Sequence, residues 1–131
     1  MTSYLLDTHV WLWLQTTPER IRQEVVDVLA DRANTLLLSA ASSWEIAIKY
    51  RLGKLPLPEP PAEYVPARMR LSGVSGLPIE HAHALRVGDL PEHHGDPFDR
   101  LVIAQAQLLN VPIVTADSQF DAYEVETVPA T

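Results

Sequence analysis

The sequence predicts an α/β sandwich, a parallel sheet covered on both faces by helices. Two observations carry this expectation. The strand candidates are short, nearly unbroken apolar runs, as strands buried on both sides require. Between them lie segments whose apolar residues recur at helical spacing.

The elements follow in order. "SYLLD" is a short apolar strand ending on Asp7, and "THVWLWLQ" follows directly, with Thr8 placed to cap a helix. Residues 18–33 carry Ile21, Val25, Val28 and Leu29 at helical spacing, after Thr17 as cap and Pro18 at the first position. "TLLLS" is a second buried strand ending at Ser39, and "AASSWEIAIKYRL" a helix stopped by Gly53. "GKLPLPEPP" holds four prolines among residues 56–61 and reads as a stiff loop between helices. Residues 62–72 read as helical, with Pro66 a signal against it, then a short strand around Val74 and a small helix in "IEHAHALRVG". "DPFDRLVIAQA" begins a helix ending near Asn110, "VPIVTAD" a strand finishing on Asp117, and "YEVETV" the last strand.

A chain of 131 residues is most simply one domain, 1–131, long enough to bury a real core. The start, "MTSYLLD", lacks the basic, apolar and small-residue pattern of a leader, and no apolar run approaches membrane-spanning length. Zero cysteines exclude disulfides, zinc thiolates and thiol nucleophiles. A cytoplasmic protein with no membrane partner is the expectation. The net charge of −7 argues against a generic nucleic-acid coating protein, yet the sum hides where the 17 acids fall.

In an open parallel sheet, sites form beyond the carboxyl ends of the strands. Asp7 and Asp117 each follow an apolar strand, Glu45 lies early in the helix after a third, and Asp99 in the first turn of the helix before the Asp117 strand. Right-handed crossovers bring these positions to one rim. Taken singly, each has a structural explanation. Asp96, Pro97 and Asp99 fit an N-cap, first and third position, and Ser42 to Glu45 fits a capping box. Asp7 and Asp117 fit turns that open the next helix. Taken together, they would repel: two unit charges roughly 4 Å apart cost about 4 kcal/mol at an effective dielectric near 20. Oxygen-only ligands of this kind suit Mg²⁺ or Mn²⁺, which activate water and stabilise charge on a phosphoryl group. Metal-dependent phosphodiester hydrolysis is the reaction class that follows.

Four segments, "YLLDTHVWLW", "LSAASSWEIAIK", "DPFDRLVIAQA" and "IVTAD", in this order from residue 4 to residue 117, resemble the PIN-domain ribonucleases, specifically the VapC-type toxins of bacterial toxin–antitoxin pairs. The resemblance implies a PIN-like α/β/α sandwich with a central parallel sheet of four to five strands. It implies that Asp7, Glu45, Asp99 and Asp117 bind one or two Mg²⁺ or Mn²⁺ ions and that a metal-bound water cleaves RNA. Thr115 matches a position where the family often has a hydroxyl near the metal. The family's pattern falls on Asp99, leaving Asp96 as the helix cap. A VapB-type antitoxin that docks on the toxin, and a homodimer, are the implied partners.

Lys49, Arg51, Lys54 and Arg100 are candidate RNA-phosphate contacts, with Arg68 and Arg70 further on. A solvated helix face, with Glu45 and Lys49 as an i,i+4 pair, explains the first group equally. Arg100 alternatively pins a neighbouring carboxylate. Among the histidines, His81 and His83 face different directions on their helix. His93 and His94 fall in a polar loop within approach of substrate, but nothing in the sequence pairs them for acid–base work.

Two other function classes fit parts of this pattern. A phospho-accepting receiver domain is also small, acidic and Mg²⁺-binding, but it needs an acidic pair at the first strand and a late lysine. Here only Asp7 follows that strand, and the last lysine is Lys54. The second is a non-catalytic binding module whose acids only cap helices.

Overall fold

A computed structural model describes residues 2–131. Five parallel strands, β1 (Ser3–Leu6), β2 (Thr35–Ser39), β3 (Val74–Leu77), β4 (Ile113–Thr115) and β5 (Thr127–Pro129), form one sheet in the order β3-β2-β1-β4-β5. Six helices surround it: α1 (Thr8–Thr16), α2 (Gln23–Ala30), α3 (Ala40–Arg51), α4 (Pro61–Ser72), α5 (His81–Val87) and α6 (Pro97–Leu109). The chain leaves central β1 first to β2 on one side and later to β4 on the other. The crevice at this reversal, beyond the carboxyl ends of β1 and β4, is where such sheets place ligands.

Each face of the sheet has its own core. Leu6, Val10, Trp11, Leu38 and Ile46 pack on one side with α1, α2 and α4. Leu5, Val102, Ile103, Ile113 and Phe120 pack on the other with α6. Alternate residues of one strand thus serve opposite layers, as Leu5 and Leu6 show. "VWLWL" is core: Val10 and Trp11 are fully buried, and Leu12, Trp13 and Leu14 pack against the first cluster.

The element boundaries differ from expectation where a local signal is outweighed. The predicted helix over 18–33 is a 3-10 turn (Pro18–Arg20) followed by the shorter α2, because Ile21 takes extended backbone to reach the core. Thr8 is not the cap of α1; Asp7 holds that position, with its carboxylate turned elsewhere. Likewise α3 starts at Ala40, capped by the Ser39 hydroxyl accepting from the Ala41 N–H, so Ser42 and Glu45 form no capping box. Pro66 sits inside α4 without ending it. The last strand begins at Thr127, after a 3-10 turn (Ser118–Ala122). Left-handed backbone at Gly53 and Asn110 fits the ends predicted for α3 and α6.

Candidate metal centre

The ends of β1 and β4 lie side by side, and one hydroxyl joins them. Thr115 Oγ1 donates to Asp7 Oδ2 at 2.8 Å and accepts from the Asp117 N–H at 3.0 Å. Asp7 is almost fully buried, so it must find partners inside the protein. Burial pushes its carboxyl above the ordinary range, against the lowering effect of the Thr115 hydrogen bond. Thr8, in the first turn of α1, donates to Ser42 Oγ at 2.7 Å and ties α1 to α3 behind the site.

From α3, Glu45 enters with its side chain 3% exposed. Lys49 Nζ meets its Oε2 at 2.6 Å, whereas Oε1 has no hydrogen-bond partner. Burial pulls the Lys49 ammonium down, but the hydrogen bond and charge of Glu45 outweigh it and leave the group raised. A buried carboxylate oxygen without a donor is costly unless a ligand satisfies it.

The start of α6 separates the two aspartates of "DPFDR". Asp96 is the N-cap: its Oδ1 accepts from the N–H groups of Phe98 at 2.8 Å and Asp99 at 3.1 Å, and Pro97 takes the first helical position. Asp99 is thereby aimed into the crevice from the first turn. Burial, then the charges of Asp7, Asp96, Glu45 and Asp117, push its carboxyl up to about 8. Those four neighbours define the cluster electrostatically: each makes ionised Asp99 less comfortable. Asp117 completes it from the end of β4, its Oδ1 accepting from the Gln119 N–H at 2.9 Å.

A group absent from the sequence-predicted set is also present. His94 Nε2 lies 2.9 Å from Asp99 Oδ2 and 3.5 Å from Asp117 Oδ2. One ligand atom from each of His94, Asp99 and Asp117 lies within 4.8 Å of the others, a grouping able to hold a metal ion. The loop bearing His94 is anchored by the Tyr123 hydroxyl, which accepts from the N–H groups of His93 and His94. The only sequence signal is proximity, since His94 precedes the Asp96 cap by two residues.

The basic candidates fall in different places. Lys49 and Lys54 line a hollow of ≈ 250 Å³ beside Glu45, together with His9. Arg51 is exposed in the last turn of α3. Arg100 turns to the loop rather than to a carboxylate, donating to the carbonyls of Val87, Leu90 and Pro91 and to the Tyr123 hydroxyl. Arg68 donates to Gln15 Oε1 at 3.1 Å. Among the described residues no helix is long and apolar enough to cross a membrane.

Comparison with known proteins gives the fold a family. The profile of the PIN domain matches residues 4–126. A stretch of 56 residues, 43% of this chain, is 64% identical to Ribonuclease VapC16 of Mycobacterium tuberculosis and spans 40% of that protein's length. Among solved structures, the VapBC2 complex of Rickettsia felis bound to a promoter DNA fragment superposes with a TM-score of 0.74 at 16% identity, over 99% of this chain and 100% of that one. DNA-bound VapBC of Salmonella typhimurium gives 0.69 at 19%, covering 98% of both chains. At such identities the likeness is one of fold.

Proposed function

The chain belongs to the PIN-domain family, and on that premise we propose that it is a VapC-type endoribonuclease toxin. In this reading Asp7, Glu45, Asp99 and Asp117 hold Mg²⁺ or Mn²⁺ and the protein hydrolyses RNA phosphodiester bonds. The observation that carries the reading is the charge problem of the crevice. Acids from four parts of the chain meet there, Asp7 and Glu45 buried and Asp99 and Asp117 partly so; Asp99 is pushed up to about 8, and Glu45 Oε1 is buried without a donor. An oxygen-binding divalent cation answers both features, and the donor set is the type that Mg²⁺ and Mn²⁺ take. Bound there, the ion would supply a Lewis acid and a water of lowered pKa.

The chain's own groups do the rest. Thr115 fixes the Asp7 rotamer while orienting the Asp117 backbone. Lys49 holds one Glu45 oxygen and leaves the other without a partner. Asp96 caps α6, so that Asp99 is delivered from a rigid first turn at the positive end of a helix. The hollow lined by His9, Lys49 and Lys54 offers cationic groups to an RNA phosphate beside the cluster.

The similar solved structures include a toxin–antitoxin complex from Klebsiella pneumoniae and VapBC-5, a member of the VapBC family of toxin–antitoxin systems from Mycobacterium tuberculosis. By extension the chain is expected to pair with a small VapB-type antitoxin and to form a homodimer, working as one PIN domain in the cytoplasm. The test is RNA cleavage by the purified chain with Mg²⁺ or Mn²⁺. Asp7→Asn and Asp117→Asn should abolish it, as should a chelator; cleavage surviving all three refutes the proposal.

A further inference from the structure

His94 brings an imidazole nitrogen in among the acids of the crevice, and its geometry is unusual for a hydrogen bond. Its side chain is 10% exposed, and Nε2 lies 2.9 Å from Asp99 Oδ2 yet makes no hydrogen bond to it. The two atoms are within hydrogen-bond distance, yet the contact does not have the geometry of a hydrogen bond. Two ligands of one ion approach each other in this way, because their lone pairs aim at a common centre and not at one another. Adjacent ligands of an octahedral ion, each about 2.1 Å from it, lie about 3.0 Å apart. The distances from Nε2 to Asp99 Oδ2 and Asp117 Oδ2, 2.9 and 3.5 Å, bracket that value.

From this geometry we infer that His94 is a nitrogen ligand of the metal centre, forming with Asp99 and Asp117 a subsite that favours Mn²⁺ and later transition ions over Mg²⁺. The inference rests on the reading of the crevice as a metal site and adds the nature of the ion. Mg²⁺ takes oxygen ligands and gives up its waters reluctantly, whereas imidazole suits transition ions.

The surroundings hold the ring in place. Tyr123 Oη receives the N–H groups of His93 and His94 at 3.2 and 2.8 Å, and Arg100 Nη1 donates to the same oxygen at 3.2 Å. Phe120 flanks the imidazole with ring centroids 6.1 Å apart. On the far side, the Asp96 N–H approaches Nδ1 at 3.4 Å, near the outer limit of a hydrogen bond. Coordination through Nε2 places the ring proton on Nδ1, so loading exchanges that long contact for a bond to the ion. His93, by contrast, is exposed and meets the edge of Tyr123, which makes it the natural control.

The opposite role is a plug: a protonated Nε2 that neutralises Asp99 and competes with the ion. The two roles predict opposite signs. As a ligand, His94→Gln should weaken Mn²⁺ binding at least roughly tenfold, the lower end of what even an outer-shell partner of a metal contributes. Mg²⁺ binding should change by less than about threefold, since oxygen ligands dominate its shell. As a plug, the same variant should bind both ions as tightly as wild type or more tightly.

The deciding experiment is electron spin-echo spectroscopy of Mn²⁺ bound to the full chain carrying ¹⁵N-labelled histidine. The expected result is histidine-nitrogen modulation in wild type and in His93→Gln, and its loss in His94→Gln. The wild-type signal needs no variant to fold, and circular dichroism checks the two that are made. Saturable Mn²⁺ binding without histidine nitrogen, or modulation that survives His94→Gln, overturns the inference while leaving the carboxylate centre standing. Failure of the wild type to bind Mn²⁺ at all overturns both.

Discussion

Thr115 Oγ1 and Asp7 Oδ2 stand 2.8 Å apart although 108 positions separate them in the sequence. This one hydrogen bond fastens the ends of adjacent strands and holds the Asp7 carboxylate, whose charge bears on Asp99. Replacing Thr115 by valine keeps the shape and removes the hydroxyl. Loss of a buried hydrogen bond to a charged group should cost about 1.5–3 kcal/mol of stability with the carboxylate ionised. Divalent-ion affinity should fall with it, measured by calorimetric titration beside a denaturant melt.

The two aspartates at the start of α6 should separate cleanly on substitution. Asp96→Asn loses a charged cap but keeps a capping oxygen, so it should cost at most about 1 kcal/mol of stability and leave most cleavage activity. Asp99→Asn should lose at least roughly a hundredfold in activity, the upper end of what outer-shell metal partners contribute. In chelator at alkaline pH, Asp99→Asn should also melt higher than wild type, because a repelled carboxylate is gone. A paired melt and RNA cleavage assay reads both effects.

Stability without metal should fall as pH rises. The Asp99 carboxyl, ordinarily at 3.8, is pushed up to about 8 in the fold by burial and then by Asp7, Asp96, Glu45 and Asp117. A group raised on folding contributes stability that is complete below its unfolded value and lost as pH climbs through the folded one. The sensitive window therefore runs from near 3.8 to about 8, and Asp7, raised mainly by burial, slopes the same way. Thermal melts in chelator from about pH 5 to about pH 8.5 should show the decline, and saturating Mn²⁺ should flatten it.

Arg100 distinguishes a loop latch from a phosphate contact. Its guanidinium serves three main-chain carbonyls and Tyr123 Oη, so Arg100→Ala should destabilise the protein by about 2 kcal/mol. The salt dependence of RNA binding should keep its slope, whereas loss of a phosphate contact would lower the slope by about one. Binding curves at several salt concentrations provide the comparison.

What the sequence disclosed and what it hid follow one physical division. Asp7 and Asp117 were legible because each ends an apolar run, and parallel topology sends strand ends to one rim. Asp96 and Pro97 were legible because capping is local chemistry. The same local logic misplaced the caps at Thr8 and Ser42, since each helix begins directly off its strand and the preceding residue takes the cap position. His94 was hidden for a different reason. Its place depends on Tyr123, 29 positions away, and on Arg100, and neither contact leaves a periodicity or a motif in the chain.

The most direct test of the central claim is an RNA cleavage assay on the purified full chain, with and without Mn²⁺, beside Asp99→Asn. Wild type should cleave only when the ion is present, and Asp99→Asn should lose nearly all activity although the variant remains folded. Cleavage in chelator, or an Asp99→Asn variant as active as wild type, would contradict it.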